Sequence, residues 1–250
     1  MSQIECVLEN GVAIVRLDRP EVRNAQTPQM WVELANLGHE LAGTARAVIL
    51  TGNGPDFSAG LDRRMFTPDG IPGTPSLFDL ARLPDQEVRE RIATYQEAFT
   101  VWRDASFVSI AAVEGHAIGA GFQLALACDV IVAGPGASFA MKEVAWGLVP
   151  DLAGTAPMIE RIGHTRALQA CLRGTTLTYE EPGLVDVQCD SGKSLDAARA
   201  FAAELPDAEL TREMKSLVSG YGHEDRVRQR ARERDAQLRR IRSIAKALNA

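Results

Sequence analysis

Three uninterrupted apolar runs constrain this chain most: "RAVILTG" (Arg46 to Gly52), "FVSIAAV" (Phe107 to Val113) and "DVIVA" (Asp129 to Ala133). A strand with one wet face alternates apolar and polar residues, so continuous runs of this length suit strands covered on both faces. Helical spacing fills the intervals. Thr27 and Pro28 form a helix start, with Trp31, Leu34, Gly38 and Leu41 on one face, and Val88, Ile92, Tyr95, Phe99 and Trp102 repeat the pattern further on. Strand, helix, strand recurs, which predicts an α/β core. Ahead of it, "IECVLENGVAIVRL" reads as a hairpin turning at Asn10-Gly11, two residues that tolerate positive φ. Beyond Pro150 the pattern predicts no strand, and helices over 158–172, 194–205, 207–218 and 224–248.

A chain of 250 residues can bury a sizeable core without staples. Cys6, Cys128, Cys171 and Cys189 form no close pair and no CxxC, and His39, His116, His164 and His223 are scattered, so reduced, buried thiols are expected and no metal site. The start, "MSQIECVLENG", lacks the regions of a signal peptide and no apolar run approaches a membrane span, which predicts a cytoplasmic protein with no membrane contact. The formal net charge of −6 argues against nucleic acid as a partner. From Met65 to Pro84, four prolines interrupt regular structure and mark an insertion or lid.

Two stretches share a design. "FSAGLD" (Phe57 to Asp62) follows one buried strand, and "EGHAIGAGFQLALACD" (Glu114 to Asp129) follows the next, with Gly115, Gly119 and Gly121 ahead of an expected helix in which Gln123 falls one residue from the start. A glycine costs a helix about 1 kcal/mol relative to alanine, so three need a local reason. At a strand-to-helix junction the first N–H groups lack internal partners, and two junctions side by side could aim two of them at one oxygen. Either stretch alone fits close packing of a helix on a strand equally well. Neither has the spacing of a dinucleotide fingerprint or a phosphate loop.

These residues resemble the crotonase superfamily, the enoyl-CoA hydratases and isomerases. The resemblance runs in order through "RPEVRNA", "RAVILTGNGPDFSAGLD", "VEGHAIGAGFQLALACDVIVAG", "FAMKEVAWGLVPDLAGT" and "RIGHTRALQACLRGTTLT", from about residue 4 to residue 190. It implies an α/β crotonase-like fold: repeated β-β-α units over residues 1–190, then a helical region over 191–250 that trimerises and covers the active site. A homotrimer, or a hexamer built from two trimers, is implied. So is an acyl-CoA substrate, with coenzyme A as its carrier and no separate cofactor.

Carried over by motif, the backbone amides of Leu61 and Ala120 form an oxyanion hole for the thioester carbonyl, which stabilises the enolate formed when an adjacent carbon loses a proton. Glu143 matches the second glutamate of family hydratases, and Asp151 a position where other members carry a working carboxylate. Gln123 stands where hydratases carry their first glutamate; glutamine orients water but cannot take its proton. The expected reaction is therefore proton-shuttle isomerisation rather than two-glutamate hydration. Alternatives are a non-catalytic acyl-CoA binding protein, hydration with one carboxylate, decarboxylation or thioester hydrolysis. Arg23 matches a position often basic and close to the coenzyme A phosphates; Ser58, Ala59, Gly60, Asp62, Gly119 and Pro150 complete the expected binding positions, and the proline-rich segment is expected to line or cover the acyl pocket.

Two departures stand out. "LTYEEPGLVDV" is about four residues shorter than the usual family helix before "GLVD" and includes Pro182. The last segment is rich in arginine yet keeps Val227, Ala231, Leu238, Ile241, Ala245 and Leu248 in a helical stripe, which predicts an amphipathic helix packed on its own or a neighbouring subunit. A sharper alternative brings some of those arginines to a coenzyme A phosphate.

Overall fold

The computed structural model describes residues 3–220 and 222–248. Asn10 and Gly11 take φ of 51° and 75°, so the chain reverses within two residues and β1 (Ile4–Glu9) pairs antiparallel with β2 (Val12–Leu17). Thr27 Oγ1 accepts from Met30 N–H at 3.2 Å and starts α1 (Pro28–Leu41), which leads to β3 (Ala47–Gly52). A one-turn α2 (Leu77–Leu80) and a long α3 (Asp85–Asp104) follow, then β4 (Val108–Val113), β5 (His116–Ile118) and α4 (Ala120–Leu126). Next come β6 (Val130–Ala133), β7 (Ser138–Ala140), α5 (Thr155–Ile162), α6 (His164–Arg173), β8 (Leu177–Thr178) and β9 (Val187–Gln188). Three helices close the described chain: α7 (Ser194–Glu204), α8 (Ala208–Gly220) and α9 (His223–Leu248).

The main sheet has the order β1-β2-β3-β4-β6-β9 and is parallel from β2 onward; β5, β7 and β8 form a second sheet. The inner strands β3, β4 and β6 of the main sheet are nearly all apolar because both faces are covered. Val48 and Leu50 of β3 face the large core with α1, α3 and α4, whereas Ala47 and Ile49 face Ala198 and Ala202 of α7. Ala111 and Val113 of β4 divide from Ile110 and Ala112 in the same way. Each fully buried valine, leucine or isoleucine among them contributes about 1.5 to 3 kcal/mol.

Several expectations change. Two strands follow Pro150, β8 and β9, each of two residues, too short to leave a periodic signal. The helix expected over 158–172 is two helices meeting at Gly163, where φ is 77°. The proline-rich segment holds α2 because Ser76 and Asp79 cap it reciprocally, with Asp79 N–H donating to Ser76 Oγ at 3.2 Å and Ser76 N–H to the Asp79 carboxylate at 2.9 Å. Around Pro182 the short "LTYEEPGLVDV" stretch is a turn between β8 and β9. Of the cysteines expected inside, Cys128 is buried and Cys171 and Cys189 are half-buried, but Cys6 is exposed, on edge strand β1.

Helix α9 folds back along α3. Leu238 and Ile241 are buried as expected, but Val227 is exposed, and Arg226, Glu233 and Gln237 take inner positions; the Leu248 side chain lies outside the described residues. Several of its arginines bind their own chain: Arg230 pairs with Asp104 at 2.8 Å, Arg242 with Asp85 at 2.7 Å, and Arg240 Nε donates to Gly147 O at 2.5 Å. Among the described residues no helix is long and apolar enough to cross a membrane.

Candidate active site

Strands β3 and β4 are adjacent and parallel, so their carboxyl ends open side by side, the usual ligand position in such sheets. The segments leaving them are joined by hydrogen bonds. Phe57 N–H donates to Glu114 O and Ser58 N–H to His116 O, both at 2.8 Å, and Ile118 N–H donates to Ser58 O at 3.0 Å. Gly60, with φ of 88°, presses on the second segment: a Cβ there would overlap the Ile118 carbonyl oxygen and lie 3.4 Å from Ala120 N. Only glycine permits that approach.

The neighbours of Leu61 determine where its amide points. Gln26 N–H donates to Gly60 O at 2.7 Å and Asp62 N–H to Gln26 O at 2.8 Å, so the intervening Leu61 N–H faces away from Gln26. Ala120 N–H is the first of α4 and has no acceptor within the helix, while the preceding Gly119 N–H donates to Ala140 O at 2.8 Å. Among the described residues neither the Leu61 nor the Ala120 N–H is hydrogen-bonded. Both residues line one cavity of about 640 Å³.

Strand β7 leads into a 3₁₀ turn, Glu143–Trp146, that brings Glu143 to the same cavity. Its Oε1 accepts from Gln123 Nε2 at 2.8 Å; its Oε2 is buried and has no partner among the described residues. Gln123, the fourth residue of α4 because the helix begins at Ala120, is fixed from the other side, where its Oε1 accepts from Leu152 N–H at 3.0 Å. Burial pushes the Glu143 carboxyl up to about 7, against smaller opposing effects from its backbone and Gln123 hydrogen bonds. Asp151 also lines the cavity; burial, then the negative charges of Glu143 and Glu233, raise its carboxyl well above the ordinary carboxylate range.

The segment carrying Asp151 is held by residues that sequence reasoning missed. Gln237 of α9 accepts from Val149 N–H at 3.2 Å, and Glu233, one turn earlier, accepts from Ala153 N–H at 2.7 Å and Thr155 N–H at 3.1 Å. From α3, Gln96 Nε2 donates to the Asp151 carbonyl at 2.8 Å. Glu233, Gln237 and Ile241 recur every four residues, a spacing visible in the sequence, but two of the three are polar and so leave no apolar signal. His116, which no motif singled out, lines the cavity with its ring Nδ1 2.5 Å from Asp56 Oδ1.

The other expected binding residues divide into two groups. Ala59, Gly60 and Gly119 line the cavity beside Leu61 and Ala120. Ser58 lies beneath it, fully buried, its hydroxyl donating to Asn24 O at 2.8 Å and accepting from Gly60 N–H at 3.2 Å. Asp62 is buried between Arg64, at 2.8 Å, and Arg19, at 3.1 Å; the hydrogen bond from Arg64 is the main reason its carboxyl drops to about 2. Pro150 stands outside the cavity wall. Arg23 is exposed and does not line the cavity, but its Nε lies 3.6 Å from Asp56, the partner of His116.

Residues 8–247 match the family model described as enoyl-CoA hydratase/isomerase. The chain belongs to the enoyl-CoA hydratase/isomerase family. It is thus an enzyme of a family that acts on coenzyme A thioesters. The 2,3-dehydroadipyl-CoA hydratase of Escherichia coli is 30% identical to it over 82% of this chain and 76% of the relative. Human mitochondrial Δ(3,5)-Δ(2,4)-dienoyl-CoA isomerase is 34% identical over 79% of this chain and 61% of the longer relative. Among solved structures, a candidate enoyl-CoA hydratase from Thermobifida fusca YX, in complex with acetoacetyl-CoA, is 38% identical, covers 99% of this chain and 96% of its own, and superposes with a TM-score of 0.82. The mixed α/β architecture is therefore the crotonase-type fold, with its helical C-terminal region.

Proposed function

We propose that this family member isomerises an enoyl-CoA by moving a proton between carbons of the acyl group, in preference to hydrating it. The observation that carries this reading is the Gln123–Glu143 contact: one glutamate, with a carboxyl at about 7, hydrogen-bonded to an amide whose own oxygen is occupied by Leu152 N–H. Such a group can take a proton and return it near neutral pH. The amide beside it cannot act as a second base.

In this reading the thioester oxygen sits between the Leu61 and Ala120 N–H groups, each of which supplies roughly 3 to 4 kcal/mol to an enolate. Glu143 removes a proton from the carbon beside the thioester, negative charge passes to the thioester oxygen, and the proton returns at the far carbon of the original double bond, which thereby moves next to the thioester. Asp151, whose raised carboxyl holds a proton, is the second carrier where one carboxylate cannot reach both carbons. Coenzyme A enters and leaves with the substrate, and the Thermobifida fusca complex supports an acyl-CoA ligand. The exposed Leu210, Met214, Leu217 and Val218 on α8 fit a surface covered in a homotrimer or hexamer.

The test compares the purified protein on 2-enoyl-CoA and 3-enoyl-CoA substrates. Conversion of the 3-enoyl to the 2-enoyl thioester, with slow water addition, supports the proposal. Water addition faster than isomerisation would defeat it, and thioester binding without turnover would mark a binding protein.

A further inference from the structure

We infer that a second, apolar compartment beside the reacting centre receives the far end of the acyl group, so that the enzyme takes medium-chain hydrocarbon acyl thioesters in preference to short or carboxylate-tipped ones. This rests on the thioester reading above and adds the substrate class. The compartment measures about 250 Å³ and shares wall residues with the site cavity, among them Phe66, Trp146, Leu148 and Ile241. Phe66 and Trp146 stack at 4.3 Å between ring centroids, 19° from parallel, and form part of the partition.

Position supports the assignment. Trp146 stands three residues after Glu143 on one 3₁₀ turn, and residues at that spacing are aligned along the turn. A chain leaving the carbon that exchanges a proton with Glu143 therefore passes Trp146. Beyond the stack it meets Phe78, Ala81, Ile244 and Ala245. An apolar cavity of about 150 Å³ accepts benzene, so this one has room for roughly six carbons or more.

Charge narrows the class. Among the described residues, the one charged side chain lining the compartment is Arg82, which is 81% exposed and faces Asp79 at 3.7 Å. It is countered and open to water, so it offers a tail carboxylate little that water does not. Each methylene moved from water into the compartment tightens binding about fourfold.

Calorimetric titration with saturated, unreactive butyryl-, hexanoyl-, decanoyl- and adipyl-CoA reads the compartment without chemistry. Decanoyl-CoA is expected to bind on the order of 10²-fold tighter than butyryl-CoA, from three or four buried methylenes, and adipyl-CoA no tighter than hexanoyl-CoA. Equal affinities along the series, or adipyl-CoA binding tightest, would overturn the inference. In Ala245→Phe, checked for folding by circular dichroism, the decanoyl-to-butyryl ratio is expected to fall at least about tenfold; an unchanged ratio in the folded variant counts against the compartment. If that variant does not fold, the chain-length series decides alone. Chain-length-dependent binding without turnover of any enoyl-CoA would support the compartment and sink the reaction, whereas turnover with flat chain-length dependence would sink the compartment alone.

Discussion

Gln123 donates to Glu143 Oε1 at 2.8 Å while its own oxygen accepts from Leu152 N–H at 3.0 Å, so its amide cannot turn over without breaking both bonds. The orientation makes a prediction about Gln123→Glu. A glutamate there can still accept from Leu152 but sets a second negative charge beside Glu143, and like charges raise one carboxyl of such a pair. One carboxyl would then hold a proton near neutrality while the other accepts one, the combination water addition requires. Hydration of a 2-enoyl-CoA is expected to rise at least about tenfold relative to 3-enoyl-CoA isomerisation. The two rates measured on one preparation test this, and an unchanged ratio would remove Gln123 from the account of reaction choice.

Glu143→Gln preserves the shape of the site but cannot exchange a proton, so isomerisation should fall by about 10² to 10⁴. The pH profile gives an independent check. Abstraction needs the carboxylate, and burial holds this carboxyl at about 7. Activity in the wild type should therefore climb through about pH 7 and level off above it, and the residual rate in the variant should lose that step. A wild-type profile already flat from pH 5 upward would assign the proton to another group, with Asp151→Asn the next variant to assay.

The sequence was most legible where chemistry and packing impose the same residue. The apolar runs of β3, β4 and β6 mark strands buried on both faces, Thr27-Pro28 marks the start of α1, and Asn10-Gly11 marks the hairpin. Two glycine-rich junctions after neighbouring strands could be anticipated from the sequence pattern, whereas the placing of Leu61, Ala120, Gln123 and Glu143 at one cavity was implied by the family resemblance. What could not be read depends on contacts distant in sequence. Glu233 reaches Ala153 and Thr155 across some 80 positions, and nothing local distinguishes it from the other acids of an Arg-rich helix. Ser58 and Asp62 sit within a binding motif yet point beneath the cavity, since alternation along an extended segment turns neighbouring side chains to opposite sides.

Gly60→Ala tests the approach of the two segments. Its φ of 88° disfavours any side chain, and the new methyl would strike the Ile118 carbonyl beside Ala120 N. The backbone must shift where the Leu61 and Ala120 amides meet, so a loss of about 10² to 10³ in turnover is expected, with destabilisation of roughly 1 to 3 kcal/mol. Thermal melting alongside the assay separates the two effects. Full activity in a folded variant would show that the spacing of those amides is immaterial.

Glu233 links the C-terminal helix to pH-dependent stability. Burial outweighs its hydrogen bonds from Thr155 and Ala153 and lifts its carboxyl from 4.5 to about 7, so the folded protein holds this proton more tightly than the unfolded chain does. The stabilisation is full below pH 4.5 and is lost as pH rises through about 7. Its size is on the order of 3 kcal/mol, equivalent to several degrees of melting temperature in a chain of this length. Glu143 and Asp151 shift in the same direction, so the wild type should lose melting temperature between pH 5 and 8 through all three groups. Glu233→Gln removes one of the three and should flatten that slope by about a third, read by calorimetry at half-unit pH steps. An identical slope in wild type and variant would mean that Glu233 ionises alike in the folded and unfolded chain.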